Sequence, residues 1–395
     1  MSMFDDFDMD DNGFADEETP LSGNAAPLAT GLQPPRLMDE CLGHQDVEAQ
    51  ILDMINSRHL PHALIFAGPE GIGKSTMAFR LARYLLKHGL PSEEDSAGGL
   101  FGDALPPVKA ENLSTDINDQ VSRMVAAAGH PDLLTVEREF DDRKNRFKGN
   151  VGIESVRRIA PFMHMTASFN GWRIAIIDDA DTMTNEAQNA ILKILEEPPP
   201  QALLILVCHR PGMMIPTIRS RCRLLHFQPL LLADSSNLLK RQEPGLREAD
   251  LATLYAITGG SVGQGLRLLE EGGLDVIYKI STLLAQWPEW DWPQIHGLAE
   301  NLSKPGQEDS YRSFVEVFTW ASESLIRARA RRQPLPPPMD SAEIVRLANA
   351  FSLEDWLDIC ERLKMHFAAV DFSNLDKRQG ILGAFTIFDE AGKAA

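Results

Sequence analysis

The sequence predicts an α/β domain with a mostly parallel sheet and helices on both faces, followed by helices alone. Three observations predict it. The string Gly68-Pro69-Glu70-Gly71-Ile72-Gly73-Lys74-Ser75 fits G-x-x-x-x-G-K-[ST] and lies between an apolar run, Ala63–Ala67, and a stretch with Ala78, Leu81 and Leu85 at helical spacing. Short apolar runs then alternate with amphipathic stretches as far as Leu203–Val207, the pattern of parallel strands joined by crossover helices. From Leu230 onward no strand-like run remains.

Taken in order, the first 35 residues carry eight Asp or Glu and no Lys or Arg, then turn rich in Ala, Gly and Pro, which reads as a disordered tail. Phe4 and Phe7 among these acids read as a docking peptide or as part of a solvated tail. Val47, Ile51 and Ile55 mark a helix, and Leu60-Pro61-His62 leads into the first strand, with His62 packed or capping. After the Ser75–Lys87 helix, residues 88–129 read as a surface insertion with some helix near Ile117–Ala128. His130-Pro131-Asp132 precedes a strand at Leu133–Val136, and the charged segment Arg138–Lys148 reads as an exposed loop. Its Arg143, Lys144, Arg146 and Lys148 are either phosphate contacts or an ordinary solvated face. A helix is expected through Ile153, Val156, Ile159, Ala160 and Met163, a buried strand at Arg173–Ile177, and a helix over Asn185–Glu196 stopped by Pro198-Pro199-Pro200. The boundaries follow: tail 1–35, α/β domain 36–229, small helical domain 230–273, C-terminal helical domain 274–395.

Composition limits the chemistry. A net charge of −19 argues against a chain that coats nucleic acid unaided. No apolar run reaches the length of a membrane span, and the acidic start is unlike a secretory signal. Cys41, Cys208, Cys222 and Cys360 are scattered with no C-x-x-C, so spacing offers neither a zinc site nor a disulfide framework and suggests the cytoplasm.

The glycine string carries the chemistry. Gly68, Gly71 and Gly73 let the backbone curl so that N–H groups point at phosphate oxygens, at the start of a helix whose dipole favours anions. Lys74 would reach the outer phosphates, Ser75 would sit on magnesium, and Thr76 follows in the same turn. Ile174–Ile177 ends on Asp178, a strand-end carboxylate placed to hold that magnesium through water. The next position, where a glutamate usually polarises the attacking water, is Asp179, one methylene shorter. Arg221, in Ser220-Arg221-Cys222 after the last expected strand, reads either as a surface ion-pair residue or as a finger on a neighbour's γ-phosphate.

Together these motifs resemble the δ′ (delta-prime) subunit family of the bacterial DNA polymerase III clamp loader and, more distantly, its γ/τ motor subunits and the AAA+ proteins. The carriers are Leu60-Pro61-His62-Ala63, His130-Pro131-Asp132, Ile176-Ile177-Asp178-Asp179-Ala180-Asp181, Asn189 to Pro199 and Pro216 to Cys222. The likeness is dense from Leu42 to Pro229 and weaker beyond. It implies an AAA+ P-loop domain, a helical lid and an all-α collar. It implies a hetero-pentameric ring with δ and γ/τ subunits, acting on the sliding clamp and on primed DNA, as part of a nucleotidyltransferase holoenzyme, with no membrane partner. Three positions depart from the motor-subunit pattern: Asp179 replaces a glutamate, Cys208-His209 a sensor threonine, and Gly263 a sensor arginine. The family's zinc-binding cysteines are missing, so no zinc is expected. The expected function is therefore a δ′-like subunit that supplies Arg221 in trans, hydrolyses little ATP itself, and carries a loop that either binds ATP with magnesium or has kept its shape without it. Two alternatives stay open: a working γ/τ-like motor ATPase, favoured by the intact loop, and a stand-alone AAA+ nucleic-acid remodeller.

Overall fold

The computed structural model describes residues 33–90, 109–141, 146–168, 171–373 and 375–394. Phe4, Phe7, Arg143 and Lys144 lie outside them, as does all of the tail before Gln33. The strands are β1 (Ala63–Ala67), β2 (Leu133–Val136), β3 (Phe140–Asp141), β4 (Arg146–Phe147), β5 (Arg173–Ile177), β6 (Ala202–Cys208) and β7 (Arg223–His226). Five of them form one parallel sheet in the order β2-β5-β6-β1-β7.

β1, β5 and β6 are buried along their whole length. Their side chains alternate between two apolar layers: Leu64, Phe66, Ile174, Ile176 and Ile205 face one, Ala63, Ile65, Ala175, Ile177 and Leu206 the other. Helices cover both layers, which is why these strands read as unbroken apolar runs and not as alternating ones. Val47, Ile51 and Ile55 of Gln45–Asn56 and one face of Lys74–His88 close the first layer. Ile153–Arg157, Ile159–His164, Asn185–Ala190 and Leu192–Glu196 close the second.

Four local expectations are corrected. The helix expected through Ile153–Met163 breaks at Arg158. Pro161, third in the second piece, has no N–H to give the Arg157 carbonyl. The helix expected over Asn185–Glu196 divides at Ile191. Arg138–Lys148 is not all loop, because β3 and β4 pair as a short hairpin within it, with Phe140 against Phe147 at 5.3 Å. Finally, Arg221 does not follow the last strand: β7 comes after it and pairs with β1.

His130-Pro131-Asp132 has a structural task. Asp132 is fully buried and accepts the Ser168 N–H at 2.9 and 3.0 Å. The Arg173 guanidinium, buried at the start of β5, lies 3.4 Å from the same carboxylate, donates to the Thr166 carbonyl, and stacks 4.9 Å from the Phe162 ring. A charge inside a buried strand is tolerated only with such a partner.

After β7 the chain is helical. One apolar cluster runs from Leu239 to Phe388, and Leu251 and Leu266 share it with Ile277, Phe314 and Trp356. Its centre is aromatic and edge-to-face, with Phe318–Phe385 at 5.2 Å and Phe351–Trp356 at 5.2 Å, the geometry that ring quadrupoles favour. Asp250 ties two of these helices: it accepts from Arg247 Nε at 2.8 Å and from the Tyr278 hydroxyl at 2.8 Å. The Arg247 bonds, acting first, and Tyr278 outweigh burial and pull the Asp250 carboxyl down to about 2.

Two outcomes follow. Asp132→Ala leaves Arg173 buried without its carboxylate and should cost about 3 kcal/mol or more in urea unfolding; a loss under about 1 kcal/mol contradicts the role given to the pair. For Asp250 the folded pKa lies below the unfolded one, so its stabilisation is present above pH ~4 and lost as pH falls towards 2. Asp250→Asn should cost about 1–2 kcal/mol at pH 7, discounted for the exposed Arg247, with the difference from wild type shrinking by roughly half at pH 3. A pH-independent difference contradicts it.

Candidate nucleotide site

The site forms where β1 runs into the helix Lys74–His88. Gly71 (φ 71°) and Gly73 (φ 103°) occupy left-handed backbone that side chains with a Cβ rarely adopt. Among the described residues, nothing accepts from the N–H groups of Gly71, Ile72 and Gly73. Unpaired donors at a helix start form an anion-binding nest. They open on a cavity of about 670 Å³, within the usual size of a small-molecule site. Gly71, Gly73, Lys74, Ser75, Thr76, Asp178 and Asp179 all line it, so the sheet brings together residues more than a hundred positions apart. Gly68 sits at the end of β1, its N–H 3.3 Å from the Cys208 carbonyl.

Lys74 is buried and donates to the Gly68 carbonyl at 2.8 Å and to the Pro69 carbonyl. Burial lowers its pKa, against the pull of Asp178. The Ser75 hydroxyl lies 3.0 Å from each oxygen of Asp178. Asp178 is pushed up to about 7, by desolvation first and then by Asp179 and Glu137, with Ser75 opposing. A hydroxyl and a carboxylate at this separation fit magnesium, a hard ion that takes oxygen ligands and keeps several waters. Among the described residues, no group of three or more His, Cys, Asp or Glu could hold a metal by itself. Phosphate and water oxygens would have to complete the shell.

Asp179 faces a different set of partners. Its backbone is left-handed (φ 52°), one oxygen lies 2.6 Å from Arg138 Nε, and the other lies 3.3 Å from His209 Nδ1. Burial first, then Lys74, lowers the His209 pKa. The backbone N–H groups of His209 and Arg210 are held by Asp181 at 2.8 and 3.2 Å. Cys208, buried at the end of β6, has its thiol pushed up to about 12, mainly by burial. Reasoning from sequence missed Arg138 and His209 as the partners of Asp179. The only signal was their place at the ends of β2 and β6, the strands that flank β5.

Gly263 is shaped by contact. Its N–H donates to the Gly71 carbonyl at 2.9 Å, and a Cβ on it would stand 2.8 Å from Gly71 Cα. The neighbouring Ser261 hydroxyl donates to the Glu70 carbonyl at 2.7 Å. A side chain at 263 would strike the loop itself, so no arginine fits there in this arrangement. Arg267, one turn on, does line the cavity, but it is paired with Glu271 at 3.3 Å and Glu316 at 2.7 Å.

Arg221 lies elsewhere. It is not among the residues lining the cavity. Its guanidinium is 3.0 Å from Glu196 and donates to the Thr217 carbonyl at 3.1 Å. Helix Pro216–Arg219 and β7 hold it at the surface, about a third exposed.

The family model described as DNA polymerase III, delta subunit, matches residues 107–231. The chain is 31% identical over 233 residues to DNA polymerase III subunit delta′ of Pseudomonas aeruginosa, covering 57% of this chain and 62% of that one. It is 28% identical over 232 residues to the same subunit of Escherichia coli, covering 58% and 61%. The match thus spans less than two thirds of each relative. Among solved structures it is similar to a DNA polymerase III gamma-subunit-related protein of Thermotoga maritima, at 18% identity and a TM-score of 0.39 over 87% of this chain and 99% of that one. The family model and the two delta′ relatives bear out the resemblance to DNA polymerase III subunit delta′, on a chain whose parallel α/β sheet is followed by helices.

The Gly71–Gly263 contact predicts opposite signs for one substitution at two places. Gly263→Ala must push backbone from backbone and should cost about 1–3 kcal/mol. Gly297 lies inside the helix Trp292–Leu302 with nothing within 4 Å of its Cβ position. Gly297→Ala should stabilise by about 0.5–1 kcal/mol. Thermal unfolding of the two variants checks this; a neutral or stabilising Gly263→Ala contradicts the contact.

Proposed function

We propose that this chain is a δ′-type subunit of a DNA polymerase III clamp loader. It would be one member of a hetero-pentameric ring with δ and γ/τ subunits, acting in the cytoplasm to place the sliding clamp on primed DNA. In this reading residues 36–229 are the AAA+ domain, 230–273 the lid and 274–395 the collar that packs with other subunits. DNA would meet the ring's inner face through phosphates and not base edges. The chain would have no polymerase activity of its own.

One observation carries the reading on hydrolysis. The phosphate-binding half of the site is whole, with the N–H nest, Lys74 and the Ser75–Asp178 pair in place. The water-activating half is not: Asp179 is short and already engaged by Arg138 and His209. Bound ATP with magnesium would supply the triphosphate charge that the loop's N–H groups and Lys74 are placed to meet. Lys74 would exchange its contacts with Gly68 and Pro69 for the outer phosphates, and Ser75 and Asp178 would turn their oxygens to the metal. Asp179 would stay on Arg138, without orienting a water. Losing preorganised groups of this kind costs roughly 10² or more in rate. Arg221 stands outside its own cavity on a surface loop, as a finger aimed at a neighbour's γ-phosphate requires. Glu196 would hold it until the neighbour arrives.

The second reading, a working motor ATPase, is favoured by the intact Ser75–Asp178 pair. Rings carrying Arg221→Ala test the first. They should assemble fully, since a half-exposed ion pair stabilises little, yet load clamps poorly and lose DNA-stimulated hydrolysis at one site. A positioned arginine finger is worth about 10³–10⁵ at its own site. Wild-type loading by fully assembled rings would show Arg221 to be an ordinary surface arginine.

A further inference from the structure

The six carbonyls of the phosphate-binding loop all have a donor. Lys74 Nζ serves Gly68, at 2.8 Å, and Pro69. The Ser261 hydroxyl serves Glu70 at 2.7 Å, and the Gly263 N–H serves Gly71 at 2.9 Å. His44 Nε2 lies 2.6 Å from the Ile72 carbonyl. Gly73 takes the Met77 N–H at 3.0 Å, with the Cys41 thiol at 3.5 Å. Four of these bonds come from parts of the chain far from the loop. Cys41 and His44 precede the helix Gln45–Asn56; Ser261 and Gly263 lie some 190 positions downstream.

A peptide carbonyl and its neighbouring N–H point to opposite sides of the chain. Tethering carbonyls on the outside of a tight loop therefore turns N–H groups to the inside. The free donors of Gly71, Ile72 and Gly73 are what such tethers would leave. His44 is buried, and burial, its leading influence, lowers its pKa, so a neutral ring donating from Nε2 suits the contact. Its ring is fixed edge-on against Phe227 at 4.9 Å.

We propose that His44 and Ser261 are positioning residues for anion binding: they hold the Ile72 and Glu70 carbonyls of the loop and so keep its N–H groups converged in the absence of ligand. This rests on the reading of the loop as a nucleotide site. It adds that the nest is preformed by two distant donors and not organised by the phosphates alone. Neither residue touches the nucleotide; both act through the loop.

The test uses the full chain. His44→Phe keeps the ring against Phe227 and removes the donor. Ser261→Ala removes the bond to Glu70, but also the helix cap that Ser261 gives the Gln264 N–H at 3.2 Å. Ser261→Thr keeps both and serves as the rescue. Amide exchange of the nucleotide-free protein reports on the clamp itself. Both His44→Phe and Ser261→Ala should speed exchange at Gly263 about tenfold, the loss of roughly one hydrogen bond, with the amides of Leu266–Leu269 unchanged. Calorimetry with magnesium and ATP reports on positioning, with each variant about tenfold weaker and Ser261→Thr close to wild type. Unchanged exchange at Gly263 overturns the clamp, whatever ATP does. Faster exchange with wild-type ATP affinity overturns the positioning role. If the wild-type chain binds no ATP, the nucleotide reading and the positioning role both fall, and exchange still decides whether the clamp exists.

Discussion

The site depends on one constraint: the loop between β1 and Lys74–His88 must turn its N–H groups inward while its carbonyls stay satisfied. Glycine at 71 and 73 allows the curl. The sheet fixes where the curl happens, because β1 pairs with β6 and β7 and both neighbours end level with it. The same sheet ends β5 beside the loop, which is how Ser75 comes within 3.0 Å of Asp178. The segment after β7 then returns to the loop and touches it at Gly263 and Ser261. Local backbone freedom, strand register and a long-range contact thus converge on eight residues.

Much of this was legible in the sequence. The loop string was, because its residue types are fixed by sterics and charge. The buried strands were, because a sheet covered on both faces needs apolar side chains at every position. Asp178 was, because it ends such a run. What escaped was whatever depends on pairing across long separations. Arg173 looked like part of a buried strand, and nothing in order along the chain announced Asp132, 41 positions earlier, as its partner. β7 escaped because only Leu225 of its four residues is buried, so an edge strand left no apolar run. β3 and β4 are two residues each, too short for a period to show. Gly263 was read from the family pattern as a position that had lost an arginine, and contact supplies a physical reason: there is no room for a Cβ.

The same geometry separates two properties that the loop string alone cannot. Cradling phosphate needs N–H groups, a cation and a metal ligand, and these converge. Activating water needs a free carboxylate at the right reach. Asp179 is held sideways by a cation at 2.6 Å and a histidine at 3.3 Å. Arg221, paired with Glu196 at 3.0 Å, takes no part in either, because it lies at the surface outside the cavity.

The most direct test of this account is ATP turnover by the purified wild-type chain alone, with magnesium in excess, alongside its ATP affinity. The account predicts binding that Lys74→Ala abolishes and hydrolysis close to background. Turnover near one per second, in the range of working enzymes at about 1–10³ per second, would contradict it: Asp179 would then be a functioning base despite Arg138.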